Sequence, residues 1–137
     1  MITSDFPYRV TYGDTDKMGY LYYGNYARIY EIGRVEALRQ LGCTYRNLED
    51  EHRVMLPVVS SASRYMKPAR YDELLNIRTT IPVLPTKMIH FDHDIFNETG
   101  DCIHKASVKL FFVDMKTQER ISCPDWLTVI FKPHFSL

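Results

Sequence analysis

The sequence predicts an α+β fold in which one long helix packs against a curled antiparallel sheet. Three observations carry this reading. An aromatic and β-branched segment, FPYRVTY (Phe6 to Tyr12), opens the chain as a strand. A single long stretch of helical periodicity follows it. After the helical region the chain alternates apolar and polar residues, with turn signals between the runs. Strand, long helix, then four strands is an order that lays a helix on one face of an antiparallel sheet.

The helix is expected from Tyr22 or Asn25 to Leu41. Tyr26, Ile29, Tyr30, Gly33, Ala37, Leu38 and Leu41 recur at three- and four-residue spacing. Gly24 or Asn25 is placed to cap its start, and Gly42 sits where a left-handed C′ residue belongs. Gly33 in mid-helix costs about 1 kcal/mol against alanine, which a close approach to the sheet would offset. YRNLEDEH (Tyr45 to His52) reads as a short helical turn. VMLPVVSSASRYMK then reads as a strand leading to a turn at Pro68 to Glu73. In LLNIRTTIPVL, residues Leu75, Ile77, Thr79, Ile81 and Val83 share one face. In KMIHFDHDIFN, Ile89, Phe91, His93 and Ile95 share one face, and His90, Asp92 and Asp94 the other. Glu98 to Asp101 is a hairpin turn. CIHKASVKLFFVDM presents Ala106, Val108, Leu110 and Phe112 on one face. PDWLTVIFK, with Pro124 near a first helical position, is a short final helix or a surface turn. There is no repeat or linker, so residues 1–137 are expected to form one domain.

Composition bounds the function. Lys+Arg and Asp+Glu both number 17, and this zero net charge argues against an electrostatic nucleic-acid binder. Three widely spaced cysteines, with no CxxC, fit neither a disulfide framework nor a zinc knuckle. The start, MITSDFPYRV, lacks a basic segment and an apolar core, and no apolar run is long enough to span a bilayer. A cytoplasmic protein with reduced thiols is the expectation.

The chemistry concentrates in YGDTDKMGYLYYGNYARIYE (Tyr12 to Glu31). A helix N-terminus carries about half a positive charge and several unpaired N–H groups. Such groups polarise a carbonyl oxygen as an oxyanion hole does. Asp16, a few residues upstream and partly desolvated by Tyr20, Tyr22 and Tyr23, is placed to attack that carbonyl or to activate water against it. An aspartate before a helix is also a common capping or solvated residue, so spacing alone does not decide. The tyrosines at 20, 22, 23, 26 and 30 line a pocket, pack as core, or do both. His90 and His93 lie on opposite faces of their strand and cannot converge on a metal. Asp14 and Asp16 have no further carboxylate nearby to complete a magnesium site.

The run YGDTDKMGYLYYGNYARIYEIGRVEALRQLG resembles the signature of the 4-hydroxybenzoyl-CoA thioesterase family. PVVSSASRYMKPARYDELLNIRTTI and FFVDMKTQERISCPDWL are similar to that family's later strands and its Pro-containing ending. The resemblance implies the hotdog fold, a curled antiparallel sheet wrapped around one long central helix. It implies hydrolysis of an acyl-CoA thioester, with Asp16 as nucleophile or general base and Asp14 as a brace for the loop. It assigns the backbone N–H at Tyr23 to polarising the thioester carbonyl. Gly19, Tyr22, Gly24 and Asn25 fall in the expected substrate-binding loop, with Met55 at a partner segment and Lys87 toward the phosphates of coenzyme A. Lys105, Lys109 and Arg120 are further candidates for those phosphates, although a lysine on a strand is more often a solvated or edge-protecting residue. Two departures matter. Tyr23 stands where one branch of the family has histidine, and Gly24 stands where another has proline. No metal or redox cofactor is implied, since coenzyme A arrives as part of the substrate. A homodimer or homotetramer is implied, with the site at the dimer interface.

Three other readings are distinguished by sequence features. An acyl-carrier protein in place of coenzyme A would keep the chemistry and favour a local basic rim. A non-catalytic binder of acyl thioesters would have lost Asp16, which is present. A hydratase on the same fold would want a histidine near the helix start, and none lies between residues 1 and 51.

Overall fold

The computed structural model describes residues 1–135. Strand β1 (Ile2–Arg9) is followed by a loop with two 3₁₀ turns and then helix α1 (Tyr26–Gln40). Helix α2 (Tyr45–Asp50), β2 (Val54–Met55), β3 (Val58–Tyr65), β4 (Leu74–Ile81), β5 (Met88–Phe96), β6 (Cys102–Asp114), β7 (Arg120–Ile121) and α3 (Asp125–Phe131) complete the order. All pairings are antiparallel, in the order β1-β4-β5-β6, with β3, β2 and β7 all pairing with β6. The long β6 is the hub because its alternation stays buried inward from His104 to Phe112 and apolar from Ala106 onward.

α1 lies across the inward face. Tyr26, Ile29, Tyr30, Gly33, Arg34, Ala37 and Leu38 are its buried residues, the helical stripe with one arginine added. Of these, Tyr26, Ile29, Tyr30 and Leu38 meet Leu75, Ile77, Ile89, Phe91, Ile95, Val108 and Leu110 in one continuous core. Each large aliphatic or aromatic side chain fully buried there contributes about 1.5–3 kcal/mol. The helix ends in a Schellman motif: Gly42 at φ +86° lets its own N–H reach Arg39 O at 2.9 Å and Cys43 N–H reach Leu38 O at 3.0 Å.

Gly33 makes the close approach that its position implied. A Cβ there would lie 2.6 Å from Thr79 Oγ1 and 2.9 Å from Ile77 Cγ2. Overpacking of this kind costs about 1–3 kcal/mol, while alanine gains about 1 kcal/mol in helix propensity. Gly33→Ala is therefore expected to lower stability by about 1 kcal/mol and the melting temperature by about 3–5 °C in a thermal scan. An unchanged or raised melting temperature would mean that the helix shifts freely over the sheet.

Some element ends differ from the sequence reading. Val83 is 60% exposed, because β4 stops at Ile81 and Pro82, which has no N–H to give the ladder, follows it. The segment from Val54 divides into β2 and β3 around Leu56 and Pro57 for the same reason. Residues 125–131 form a helix, with Pro124 at its N-cap position. His93 points inward and His90 outward, as alternation requires. The β5–β6 turn closes at Gly100, φ +87°, with its N–H to Asn97 O at 3.0 Å.

Candidate active site

The loop between β1 and α1 is built on Asp14. Its side chain is almost fully buried. It accepts hydrogen bonds from Thr11 N (2.8 Å), Thr11 Oγ1 (2.9 Å), Tyr8 OH (2.7 Å) and the Arg28 guanidinium. Burial pushes the carboxyl up, but the donors from Thr11 and Tyr8 and the Arg28 charge outweigh it and hold the group below the usual carboxylate range. The Asp14 carbonyl accepts from Tyr22 N and from Asn25 Nδ2, both at 2.9 Å. Asn25 therefore occupies the N-cap position of α1 without capping it. Its amide ties the helix start to the aspartate loop instead.

Asp16 heads a tight hairpin. Gly19 N–H bonds Asp16 O at 3.0 Å, and Asp16 N–H bonds Tyr20 O at 2.9 Å. Gly19 sits at φ +80°, where a side chain would strain the turn. Residues 69–71 strap this hairpin down: Leu21 N donates to Ala69 O at 2.7 Å and Tyr71 N to Gly19 O at 3.3 Å. The Asp16 carboxylate is half-buried, and its Oδ1 accepts from Met18 N (2.9 Å) and Tyr20 N (3.2 Å). Its Oδ2 has no hydrogen bond among the described residues. One oxygen is thus fixed and the other is available for chemistry.

Asp16 lines a cavity of about 300 Å³ together with Met18, Tyr20, Tyr23, Tyr26, Tyr65 and Met66. The 3₁₀ turn Tyr23–Asn25 leads directly into α1, and its first internal bond runs from Asn25 N to Tyr22 O at 2.9 Å. The N–H groups of Tyr23 and Gly24 precede that bond, so they are the open donors of the helical segment. A carboxylate and a helix start face one pocket. That pairing suits polarisation of a carbonyl and attack upon it.

Behind the cavity wall the aromatic residues continue inward. Tyr65 meets Tyr26 edge-on at 5.4 Å, and Tyr26 stacks on His104 at 3.9 Å. Tyr30 OH bonds both His104 Nε2 and Ser63 Oγ, the latter at 2.8 Å. Tyr30 also stacks on His93, whose Nδ1 meets Thr79 Oγ1 at 2.9 Å. Burial pushes the Tyr26 and Tyr30 hydroxyls up to about 12 and His104 down to about 4. Burial, aided by the Arg34 charge, brings His93 down to about 3. All four groups are neutral near pH 7 and form a rigid wall.

A sequence profile of the thioesterase-like superfamily matches residues 10–131. The chain belongs to that superfamily. It is 32% identical over 119 residues to the acyl-CoA thioesterase YbgC of Haemophilus influenzae, with 87% of each chain covered. It is 25% identical over 121 residues to the 1,4-dihydroxy-2-naphthoyl-CoA hydrolase of Thermosynechococcus vestitus, covering 88% of this chain and 83% of that one. Among solved structures, the DHNA-CoA thioesterase from Staphylococcus aureus superposes with a TM-score of 0.89 at 28% identity, covering 98% of this chain and 92% of that one. The fold is the hotdog fold.

Within this thioesterase-superfamily chain, Asp16 and Tyr23 line one cavity. Gly19, Tyr22, Gly24 and Asn25 belong to the same loop but do not line it. Tyr22 packs beside Tyr23 with ring centroids 4.9 Å apart, and a Cβ on Gly24 would strike the Tyr22 ring at 2.6 Å. Met55 pairs with Val113, away from the loop. Lys87 and Arg120 meet in a different cavity, of about 350 Å³, beside Phe111 and Ile121. Lys105 is paired with Asp94 at 2.8 Å on the outer face of the sheet. Sequence reasoning missed Tyr65, Met66 and His104. The signal for His104 was available: counting back two from Ala106 puts it on the inward face of β6.

Proposed function

We propose that this protein hydrolyses an acyl-CoA thioester to the free acid and coenzyme A. The observation that carries the reading is the pairing of Asp16 with the start of α1 across one cavity. The thioester carbonyl would sit at the Tyr23 N–H, and Asp16 would act from the side as nucleophile or general base. The thiolate leaves without a strong general acid, so the reaction asks for no metal or redox cofactor. Superfamily membership and the names of the two relatives support this substrate class. Among the described residues no helix is long and apolar enough to cross a membrane. Three free cysteines accord with work in the cytoplasm.

The working form we propose is a homodimer joined through β3, alone or within a tetramer. β3 pairs with β6 on one side, and all eight of its residues are exposed, Val58 and Val59 among them. A free strand edge of that length invites pairing with another strand. A second β3, antiparallel to the first, would continue the sheet across a twofold axis.

Thiol release from a panel of acyl-CoAs, short to long and aliphatic to aromatic, tests the activity. Turnover on at least one acyl-CoA is expected, and the best substrate narrows the acyl preference. A panel with no turnover, repeated with acyl-carrier-protein thioesters and again silent, would overturn the enzymatic reading.

A further inference from the structure

A second cavity, of about 460 Å³, lies between α1 and β3, on the other side of Tyr30. Its lining includes Arg28, Glu31, Arg34, Val58 and Ser61. Arg34 is only 9% exposed and forms no ion pair among the described residues. Its one hydrogen bond among them runs from Nε to Tyr45 OH at 3.1 Å. Its terminal nitrogens open onto this cavity, so in the isolated chain the charge meets only solvent there and has no counter-charge. Arg28 is differently placed, since its charge is already taken by Asp14. Glu31 is exposed on the same cavity and has no cation within 4 Å among the described residues. One cavity thus holds an unpaired cation and an unpaired anion one helical turn apart, beside the free β3 edge.

We infer that a second copy of this chain fills the gap, with Arg34 of each protomer pairing with Glu31 of the other. The inference rests on the β3 dimer proposed above. A twofold axis normal to the sheet reverses β3, and it reverses α1 as well. Two antiparallel α1 helices meeting near the axis bring position 31 of one toward position 34 of the other, twice. A twofold interface needs such self-complementarity. The two pairs close the cavity, compensate Arg34, and fix the register in which the β3 edges meet.

Charge reversal tests this by sedimentation and native mass spectrometry. Arg34→Glu leaves two carboxylates on each face and Glu31→Arg leaves two cations. Each single variant should dimerise at least 100-fold more weakly than wild type. Mixing the two should restore a one-to-one heterodimer, because glutamates at 31 and 34 then face arginines at 31 and 34. Pairing within one chain cannot produce that rescue. A mixture that stays monomeric, or single variants that dimerise like wild type, would overturn the inference. Should Arg34→Glu fail to fold, Glu31→Arg alone still decides: position 31 is exposed, and an unchanged dimer affinity would sink the pairing. A monomeric wild type would instead overturn the β3 dimer itself.

Discussion

Asp16→Asn is expected to lower kcat on the best acyl-CoA by about 10²–10⁴-fold, the range that a positioned acid–base group supplies. The structure makes this substitution a clean one. Asparagine keeps an oxygen where Oδ1 accepts from Met18 N and Tyr20 N, so the hairpin retains its anchors. What disappears is the charge and the free Oδ2. Stability should therefore change by no more than about 0.5 kcal/mol, and KM should move little, since the proposed carbonyl donor is the backbone N–H of Tyr23 in the 3₁₀ turn before α1. Asp16→Ala, which removes the acceptor as well, should loosen the loop and raise KM in addition. Equal turnover by wild type and Asp16→Asn would sink the assignment of Asp16. Single-turnover hydrolysis in heavy-oxygen water separates the two roles left to this carboxylate. Label appearing in the product acid in that first turnover would count against a covalent anhydride and favour water activation.

Stability is expected to fall steeply between pH 6.5 and pH 4.5, before most carboxylates titrate. His93 is held neutral down to about pH 3 by its burial between α1 and the sheet, and by the nearby Arg34 charge. In the unfolded chain the same imidazole protonates near pH 6.5. Below that value the unfolded state binds the extra proton, so stability decreases as pH falls. At pH 4.5 the loss from His93 alone is about 3 kcal/mol, a large share of a domain's stability. His104, depressed to about 4, acts in the same direction. Asp14 responds at lower pH: its depressed carboxyl contributes stability above the unfolded carboxylate range, and that contribution is lost as pH falls toward its folded value. Urea midpoints measured from pH 7 to pH 4.5 check the histidine effect. Replacing His93 by Phe together with Thr79 by Val removes the imidazole and the hydroxyl it meets at 2.9 Å. The double variant should show a clearly shallower pH slope than wild type. Identical slopes would mean that His93 is accessible to protons in the folded state.

Features set by periodicity and by local backbone rules were legible in the sequence. The α1 stripe, the Gly42 stop and the inward and outward faces of β5 were all readable, because each depends on residues close together in the chain, whereas the bracing role of Asp14 came from the family resemblance alone. Gly33 was readable for a further reason: its cost within the helix is local, even though its compensation at Thr79 and Ile77 is not. The site's other wall was not readable. Tyr65 and Met66 come to the Asp16 cavity only because Leu21 and Gly19 bond to the Ala69–Tyr71 segment, a contact that no local pattern encodes. Asn25 was legible as a residue at the helix start, but not as a strut to the Asp14 carbonyl. Lys87 and Met55 were placed by resemblance, and within one chain they lie apart from Asp16.

The pairing of β1 with β4, Ile2 against Ile81, has a consequence for how the chain is made. Strand β1 leaves the ribosome with no partner until α1, α2 and the three strands after them have emerged. At about 5–20 residues per second that wait lasts several seconds. Loop closure over such a separation is also slow for a free chain. Asp14 and Asp16, encoded early, are set in place only when Tyr8 has docked beside β4 and the Ala69–Tyr71 segment has arrived to hold Leu21. A nascent chain stalled before Ala69 would carry the complete loop sequence with its hairpin unanchored, and the loop would take up its folded geometry late in synthesis.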